Sequence, residues 1–472
     1  MEKHYTMAIQ KYDLIVIGGG PGGYSAAIRG SQKGLKTILV EQETLGGTCL
    51  NRGCIPTKTL LHDTEFLTAV RNSYFLRGDM KINLQRIIER KNMVMEGSRG
   101  WVQNIITGNN IIYLQGEASF TNSNTIELKS VDGELKTLSA SNIILATGAT
   151  VHYGEGLQTD GESIWSTNDA IALKSIPRTL AVIGAGNRGV ELAQIYQNLG
   201  SKVVIIEKEK NVLPKFDWDL ASRYKKCLLD RKLNILIRST LVSAIPVEGS
   251  GVVLKIETAK GKIEQKVEKV LLTGQRQPDY KSLNLKATGL SLKNRILDFD
   301  SNFETDQKGI YVIGDATGPP FLAHKAIQQG MYVIDHILGN TVSQQQIFCP
   351  NCVYGDPEVA SVGLSEIEAE ESGYDIKVGE FRFVGNGRSG SINNDTGLVT
   401  IISESDSKTV LGVQIIGPQA TELISLACLV MQNGIDLNGI KKTVFSHPSL
   451  AESFFEAALN TDGEAIHLLN DN

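Results

Sequence analysis

The sequence predicts an α/β protein with two Rossmann-like dinucleotide-binding domains and a separate C-terminal α+β domain, and three observations carry that prediction. A short apolar run, Tyr12 to Ile17, breaks into Gly18-Gly19-Gly20-Pro21-Gly22-Gly23, followed by a helical stretch from Tyr24 to Arg29 and a strand, Thr37 to Val40, ending at Glu41. The same order returns as Leu180 to Ile183, Gly184-Ala185-Gly186-Asn187-Arg188-Gly189, a helix from Val190 to Leu199 and a strand from Val203 to Ile206 ending at Glu207; in both copies the acid stands 23 residues after the first glycine. From Phe348 to about Gly417 the texture changes to alternating β-branched runs with turns, followed by amphipathic stretches Glu422 to Asn433 and Ser449 to Asn460.

Each glycine motif has a physical purpose. Gly18, Gly20 and Gly23, like Gly184, Gly186 and Gly189, let the backbone approach a pyrophosphate, and the helix that follows offers N–H donors and a positive dipole end. Glu41 and Glu207 are placed to accept from ribose hydroxyls. A carboxylate at 207 disfavours a 2′-phosphate, so NAD is expected over NADP, although Lys208 and Lys210 stand close by. Three further strands, Asn142 to Leu145, Lys269 to Leu272 and Ile310 to Ile313, run into Ala146-Thr147-Gly148, Thr273-Gly274 and Gly314-Asp315. Open α/β sheets bind ligands at such C-terminal strand ends.

The composition narrows the class. With 472 residues the chain has room for roughly three domains. Hydrophobic residues at 41%, charged residues at 21% and a mean hydropathy of -0.08 are ordinary soluble usage. A net charge of -5 provides no basic field for nucleic acid or an anionic bilayer, and no apolar run approaches the roughly 20 residues needed to span a membrane. Six cysteines are too few for a disulfide scaffold, and Met1 to Gln10 lacks a signal-peptide core, so a cytoplasmic location is expected; Met7 is a candidate natural start.

Between the first unit and the next helix lies Gly46-Gly47-Thr48-Cys49-Leu50-Asn51-Arg52-Gly53-Cys54-Ile55-Pro56-Thr57-Lys58. Cysteines five apart on a regular helix have Cα atoms about 8 to 9 Å apart, and a disulfide needs less than about 7 Å. Cys49 and Cys54 therefore either pair across a bend, for which Gly53 provides the freedom, or are two separate buried thiols. Pro56 suits the first turn of a helix, which would set Cys54 at an N-terminus and favour its thiolate.

Taken in order, Gly-Gly-Gly-Pro-Gly-Gly-Tyr, the Cys49 to Lys58 segment, Ala-Thr-Gly-Ala, Gly-Ala-Gly-x-x-Gly-Val-Glu-Leu, Gly-Asp-Ala-Thr and His-Pro-Ser-Leu-Ala-Glu resemble the flavin-dependent disulfide reductases over essentially the whole chain. Within that family the likeness is to members that act on the dithiol of a protein-bound lipoyl group. The resemblance implies an FAD domain over 1–150 carrying a redox disulfide, an NAD domain over 151–275, a part over 276–347 completing the FAD site and an interface domain over 348–472. It further implies a homodimer whose C-terminal domain completes the partner's active site, served by a lipoyl-bearing carrier protein or 2-oxo acid dehydrogenase complex.

Residue by residue, the resemblance makes Cys54 the thiol adjoining the flavin and Cys49 the one that exchanges with substrate. Lys58 and Glu191 become a pair beside flavin and nicotinamide. FAD contacts fall on Gly18, Gly20, Gly23, Glu41, Gly47, Thr48, Lys58, Thr147, Gly148, Asp315 and Ala323, the last opening a helix aimed at the flavin pyrimidine; NAD contacts fall on Gly184, Gly186, Gly189, Glu207 and Gly274. His447, five residues before Glu452, becomes the base that takes the substrate thiol proton; it is the one histidine of seven with a partner pattern in the sequence. Two positions depart from the family's habit: Arg188, where an apolar residue is common, and Phe445, where a polar one is. Cys349-Pro350-Asn351-Cys352 is an extra CxxC without a second ligand pair, read as two quiet thiols with no metal. Rival readings are a reductase of the same fold acting on glutathione or another disulfide, and a non-catalytic flavoprotein subunit of a lipoyl complex; the end, Asn470-Asp471-Asn472, carries no terminal cysteine pair.

Overall fold

A computed structural model of the chain describes residues 9–71, 73–76, 78, 81–340 and 347–469. Met7 and Asn470 to Asn472 lie outside the described residues. The chain forms two compact units: Met1–Thr59, Lys81–Gly154 and Gly274–Gln345 make the first, and Leu60–Met80, Glu155–Thr273 and Gln346–Asn472 the second.

In the first unit the strand Gln10–Ile17 runs parallel to Thr37–Glu41 on one side and to Leu135–Leu145 on the other, with Ile112–Asn122 beyond Thr37–Glu41 and Ile310–Val312 beyond Leu135–Leu145. Alternation decides which side chains meet which layer. Leu14 and Val16 face Ala26, Ala27, Val333 and Ile334 of two helices, Pro21–Gln32 and Ala323–Ile337, while Ile15 and Ile17 join Ile38, Val40, Phe120 and Leu138 on the opposite face. The strands expected at Asn142, Lys269 and Ile310 are all present and parallel to their neighbours.

The second unit holds a five-stranded parallel sheet in the order Asn234–Leu236, Lys202–Ile206, Thr179–Ile183, Lys269–Leu272, Ile164–Trp165. The helix Asn187–Leu199 follows the second glycine turn, and an antiparallel trio, Ser239–Val247, Gly251–Thr258 and Gly261–Val267, stands beside the parallel strands in sequence. Its C-terminal part is a five-stranded antiparallel sheet from Asn351 to Gly417. Phe381, Val399, Ile401, Val413 and Ile415 of that sheet pack against Ile424 and Ala427 of the helix Ala420–Gln432 and Phe454, Ala457 and Ala458 of the helix Glu452–Asn460. Among the described residues no helix is long and apolar enough to cross a membrane.

Candidate active site

Both glycine turns are built alike. Gly18 and Gly184 adopt φ of +109° and +101°, the left-handed region that glycine fills without strain. A Cβ on Gly23 would lie 1.8 Å from Gly18 O, and one on Gly189 would lie 1.9 Å from Gly184 O, so each third glycine lets its helix press onto the turn. The middle glycines differ from these. A Cβ on Gly20 would meet its nearest atom at 3.8 Å and one on Gly186 would meet nothing within 4 Å. The protein itself does not demand glycine there, so the open space fits a cofactor backbone.

The two acids also act alike. Glu41 accepts from Gly19 N at 2.7 Å and from Glu43 N at 2.7 Å; Glu207 accepts from Ala185 N at 2.5 Å and from Glu209 N at 2.9 Å. Each carboxylate thus ties the glycine turn to the end of the second strand and leaves acceptor lone pairs for a ribose.

The cysteine segment docks on the first turn. Gly46 N donates to Gly19 O at 2.8 Å, and Gly47, with φ of +58°, packs so closely that a Cβ would lie 2.7 Å from Gly20 Cα. The segment is not one helix. A short helix, Gly47–Arg52, containing Thr48 and Cys49, stops at Gly53, and a second, Cys54–Arg71, starts at Cys54 with Pro56 in its first turn. The bend brings Cα of Cys49 to 4.7 Å from Cα of Cys54, and the two form a disulfide. Asn51 fixes the approach by donating from Nδ2 to the carbonyls of Leu45 at 3.0 Å and Gly47 at 2.9 Å. Lys58 lies one turn beyond Cys54 on the same face of its helix.

Other expected FAD residues converge on this region of the first unit. The Thr147 Oγ1 is buried with no hydrogen-bond partner among the described residues, a donor awaiting a group from outside the chain. Gly148 O accepts from Asp279 N at 3.2 Å. Asp315 is ion-paired with Arg276, a partner that no sequence spacing points to. Ala323 is the first residue of its helix, and that helix crosses Pro21–Gln32 at glycine contacts: a Cβ on Gly22 would lie 3.0 Å from Ala326 O, and one on Gly330 would lie 2.7 Å from Gly22 O. Two positive helix ends therefore lie close together, a setting suited to the phosphates and electron-rich ring of a flavin dinucleotide.

In the second unit Glu191 is buried and accepts from Tyr354 N at 3.0 Å, while Gln194 bridges Asp356 N at 2.8 Å and the Tyr224 hydroxyl at 2.7 Å. Burial pushes the Tyr354 phenol up to about 12, with Cys352 and Glu191 adding to the effect. Thr273 supports the second glycine turn: its hydroxyl donates to Ile183 O at 2.7 Å and closes the space beside Gly184. Gly274 instead packs in the first unit, where a Cβ would lie 2.4 Å from Val151 Cγ1. Arg188 is half-buried in the first turn of its helix.

The expected histidine–carboxylate pair is formed. His447 Nδ1 lies 2.8 Å from Glu452 Oε1, while Glu452 Oε2 accepts from Ser449 N at 2.7 Å. Burial alone would raise the Glu452 carboxyl; the Ser449 N–H and the His447 ring outweigh it and hold the group below its ordinary value. The His447 side chain is 78% exposed, so Nε2 is available to a group from outside the chain. Phe445 and Phe455 pack against each other with ring centroids 5.4 Å apart and planes tilted by 36°, which gives Phe445 a packing role. One reading needs correction: His447 is not the only histidine held by a carboxylate, because His467 Nδ1 lies 2.7 Å from Glu456 Oε1. Sequence spacing hid that pair, since the chain turns back on its own helix to form it. The extra CxxC supplies Cys352 to the strand Asn351–Val353; burial, with Cys349 near, pushes Cys428 up to about 11.

A disulfide poised at a helix N-terminus, two dinucleotide turns and a carboxylate-held imidazole define a nucleotide-linked dithiol–disulfide oxidoreductase. The chain belongs to the pyridine nucleotide-disulphide oxidoreductase family, matched over residues 12–330, with that family's dimerisation domain matched over 349–458; the family works with FAD and a pyridine nucleotide. Among curated relatives, a dihydrolipoyl dehydrogenase of Thermus scotoductus is 37% identical over 98% of this chain and 100% of its own, and a mitochondrial one of Pisum sativum is 34% identical over 97% and 92%. Leghemoglobin reductase of Glycine max is 34% identical over 95% of this chain and 87% of its own. Among solved structures, LpdA from Mycobacterium tuberculosis superposes with a TM-score of 0.88 at 26% identity over 95% of this chain and 99% of its own. An HOCl-induced flavoprotein disulfide reductase from Escherichia coli superposes with a TM-score of 0.81 at 26% identity over 94% and 98%.

Proposed function

We infer that the protein oxidises protein-bound dihydrolipoyl groups to the disulfide and reduces NAD+ to NADH. The observation that carries the reading is the Cys49–Cys54 disulfide, bent at Gly53 and docked on the first glycine turn. Relatives at 33–37% identity named dihydrolipoyl dehydrogenase support the substrate. FAD would be held by Gly18, Gly20, Gly23, Glu41, Gly47, Thr48, Lys58, Thr147, Gly148, Asp315 and Ala323, and NAD by Gly184, Gly186, Gly189, Glu207 and Gly274. The flavin, when bound, supplies the two-electron exchange between a dithiol and a nicotinamide, which neither performs alone.

The chain's own residues do the rest. His447 takes the proton from a substrate thiol at Nε2, and Glu452 holds the ring by Nδ1 and stabilises the imidazolium. The resulting substrate thiolate attacks Cys49 Sγ; the Cys49–Cys54 bond breaks and Cys54 leaves as a thiolate, which a helix N-terminus favours. The second substrate thiol then closes the substrate disulfide and frees Cys49, so two electrons have moved to the protein's dithiol. Reoxidation of that dithiol delivers a hydride to NAD+ and one proton to water. Lys58 and Glu191 are assigned to the flavin–nicotinamide junction. The exposed His447 ring supports a homodimer in which it serves the partner's disulfide, and free thiols at Cys227 and Cys428 support a cytoplasmic setting. A lipoyl-bearing carrier protein or 2-oxo acid dehydrogenase complex would bring the substrate. The division 1–150, 151–275, 276–347 and 348–472 is retained as the domain scheme, supported by the sheets each segment builds or completes.

The test is an anaerobic titration of the yellow holoenzyme with dihydrolipoamide, followed by NAD+. Rapid NADH formation, lost at least a thousandfold in Cys49→Ser, is the expected result. Turnover confined to NADPH and glutathione would move the substrate while keeping the site.

A further inference from the structure

The helix Glu452–Asn460 carries two carboxylates one turn apart, and each is used in the same way. Glu452 gives Oε1 to His447 Nδ1 at 2.8 Å and Oε2 to a backbone N–H, that of Ser449, at 2.7 Å. Glu456 gives Oε1 to His467 Nδ1 at 2.7 Å and Oε2 to the backbone N–H groups of Ile466 at 2.8 Å and His467 at 3.3 Å. Glu456 is 3% exposed, and three donors hold it; the His467 ring is 61% exposed. A fully buried, fully bonded carboxylate beside an exposed imidazole is more than a tail anchor requires, because the two backbone N–H bonds already fasten residues 466 and 467.

We propose that His467 and Glu456 are positioning residues for the acid–base reaction, acting through Glu452 on His447. The inference rests on the reading of His447 as the base. Two carboxylates at i and i+4 repel, and an uncompensated charge on Glu456 would favour protonation of the His447–Glu452 pair. A positive charge on the His467 ring would offset that of Glu456, and it adds, after the Ser449 N–H and the His447 ring, to what holds the Glu452 carboxyl low. The helix Glu452–Asn460 presents Glu456 and Glu452 to it; the turn Phe383–Gly385, which touches the His467 carbonyl, carries no ionisable side chain; and in the preceding stretch Asp462 and Glu464 are paired with lysines, Lys377, Lys408 and Lys441 for the first and Lys441 for the second. His467 therefore bonds Glu456 one turn from Glu452, the carboxylate that holds the His447 ring.

The experiment follows the His447 ring by NMR titration in the holoenzyme and, in parallel, the pH profile of dihydrolipoamide oxidation. In His467→Gln, which keeps a donor for Glu456 but no charge, the His447 midpoint and the acid limb of kcat are expected to rise by about 0.4 pH unit, the Coulomb scale for one charge roughly 8 Å away in water. In Glu456→Gln, which leaves His467 unbalanced, both are expected to fall. Opposite shifts are the signature, since structural damage would lower activity in both variants without moving the midpoints apart. Unmoved midpoints in His467→Gln overturn the proposal. If Glu456→Gln does not fold, His467→Gln and His467→Asn decide alone. Should the wild type prove inactive on dihydrolipoamide, the substrate reading fails, whereas the NMR titration still decides whether His467 acts on His447.

Discussion

The two glycine turns share a plan and differ in what surrounds them. In the first, the middle glycine is bordered by Gly47 of the disulfide segment, and a second helix N-terminus at Ala323 lies against the helix that follows the turn. In the second, the space beside Gly186 holds no atom of the described residues within 4 Å, and the helix Asn187–Leu199 spends its polar side chains on the C-terminal sheet: Asn187 Nδ2 donates to Cys352 O at 2.9 Å, and Glu191 and Gln194 accept from Tyr354 and Asp356. The same motif thus stands in two different protein settings, the first bordered by the disulfide segment and a second helix end, the second by the C-terminal sheet.

The largest effect should come from the third glycines. Gly23→Ala sets a Cβ against Gly18 O and should cost about 3 kcal/mol or more, with loss of flavin and of the folded first unit. Gly189→Ala should do comparable damage to the second turn and spare flavin content, which absorbance and limited proteolysis would separate. Equal loss of flavin in both would break the comparison. The middle glycines should behave oppositely. Gly20→Ala and Gly186→Ala are sterically tolerated by the protein, so melting of the apoprotein should move little while FAD retention in one and NADH affinity in the other fall at least tenfold.

A pH effect sharpens the contrast from the second unit. Burial, reinforced by Asp356 and Glu358, pushes Glu65 up to about 8, and its Oε1 has no hydrogen-bond partner among the described residues. A carboxyl raised in the folded state binds more protons there than in the unfolded chain. It therefore costs nothing below its unfolded value near 4.5 and lowers stability as pH rises toward and through 8. Glu65→Gln should stabilise by about 2 kcal/mol at pH 9 and change little at pH 4.5, as chemical denaturation at both values would reveal. An equal change at both pH values would remove the electrostatic cause. The smallest effect expected is that of Arg188→Ile, a severalfold change in the NADH to NADPH preference with kcat nearly constant; identical constants for both nucleotides would leave Arg188 as a surface residue.

Much of the site was legible because its logic is local. A strand, a glycine turn and a helix announce themselves within about 20 residues, and the Gly53 bend and the His447–Glu452 pair each lie within a few positions of each other. What escaped notice depends on distant chain. Glu65 is perturbed by Asp356 and Glu358, nearly three hundred residues away; His467 reaches Glu456 only because the chain reverses after Asn460; and Arg276 meets Asp315 through a strand pairing with Ala149–His152. The antiparallel trio from Ser239 to Val267 was also unread, although Val252, Leu254 and Ile256 alternate inward as a strand should.

The bend at Gly53 has a thermodynamic corollary. A cross-link between residues five apart restrains the unfolded chain by only about 2 kcal/mol, against nearly 5 for a hundred-residue loop. Asn51 and the Gly46–Gly19 contact keep the segment folded back without help from sulfur. A bond that must open and reseal at every turnover is thereby kept outside the set of interactions on which folding relies, and the scaffold can cycle between oxidation states without rearranging.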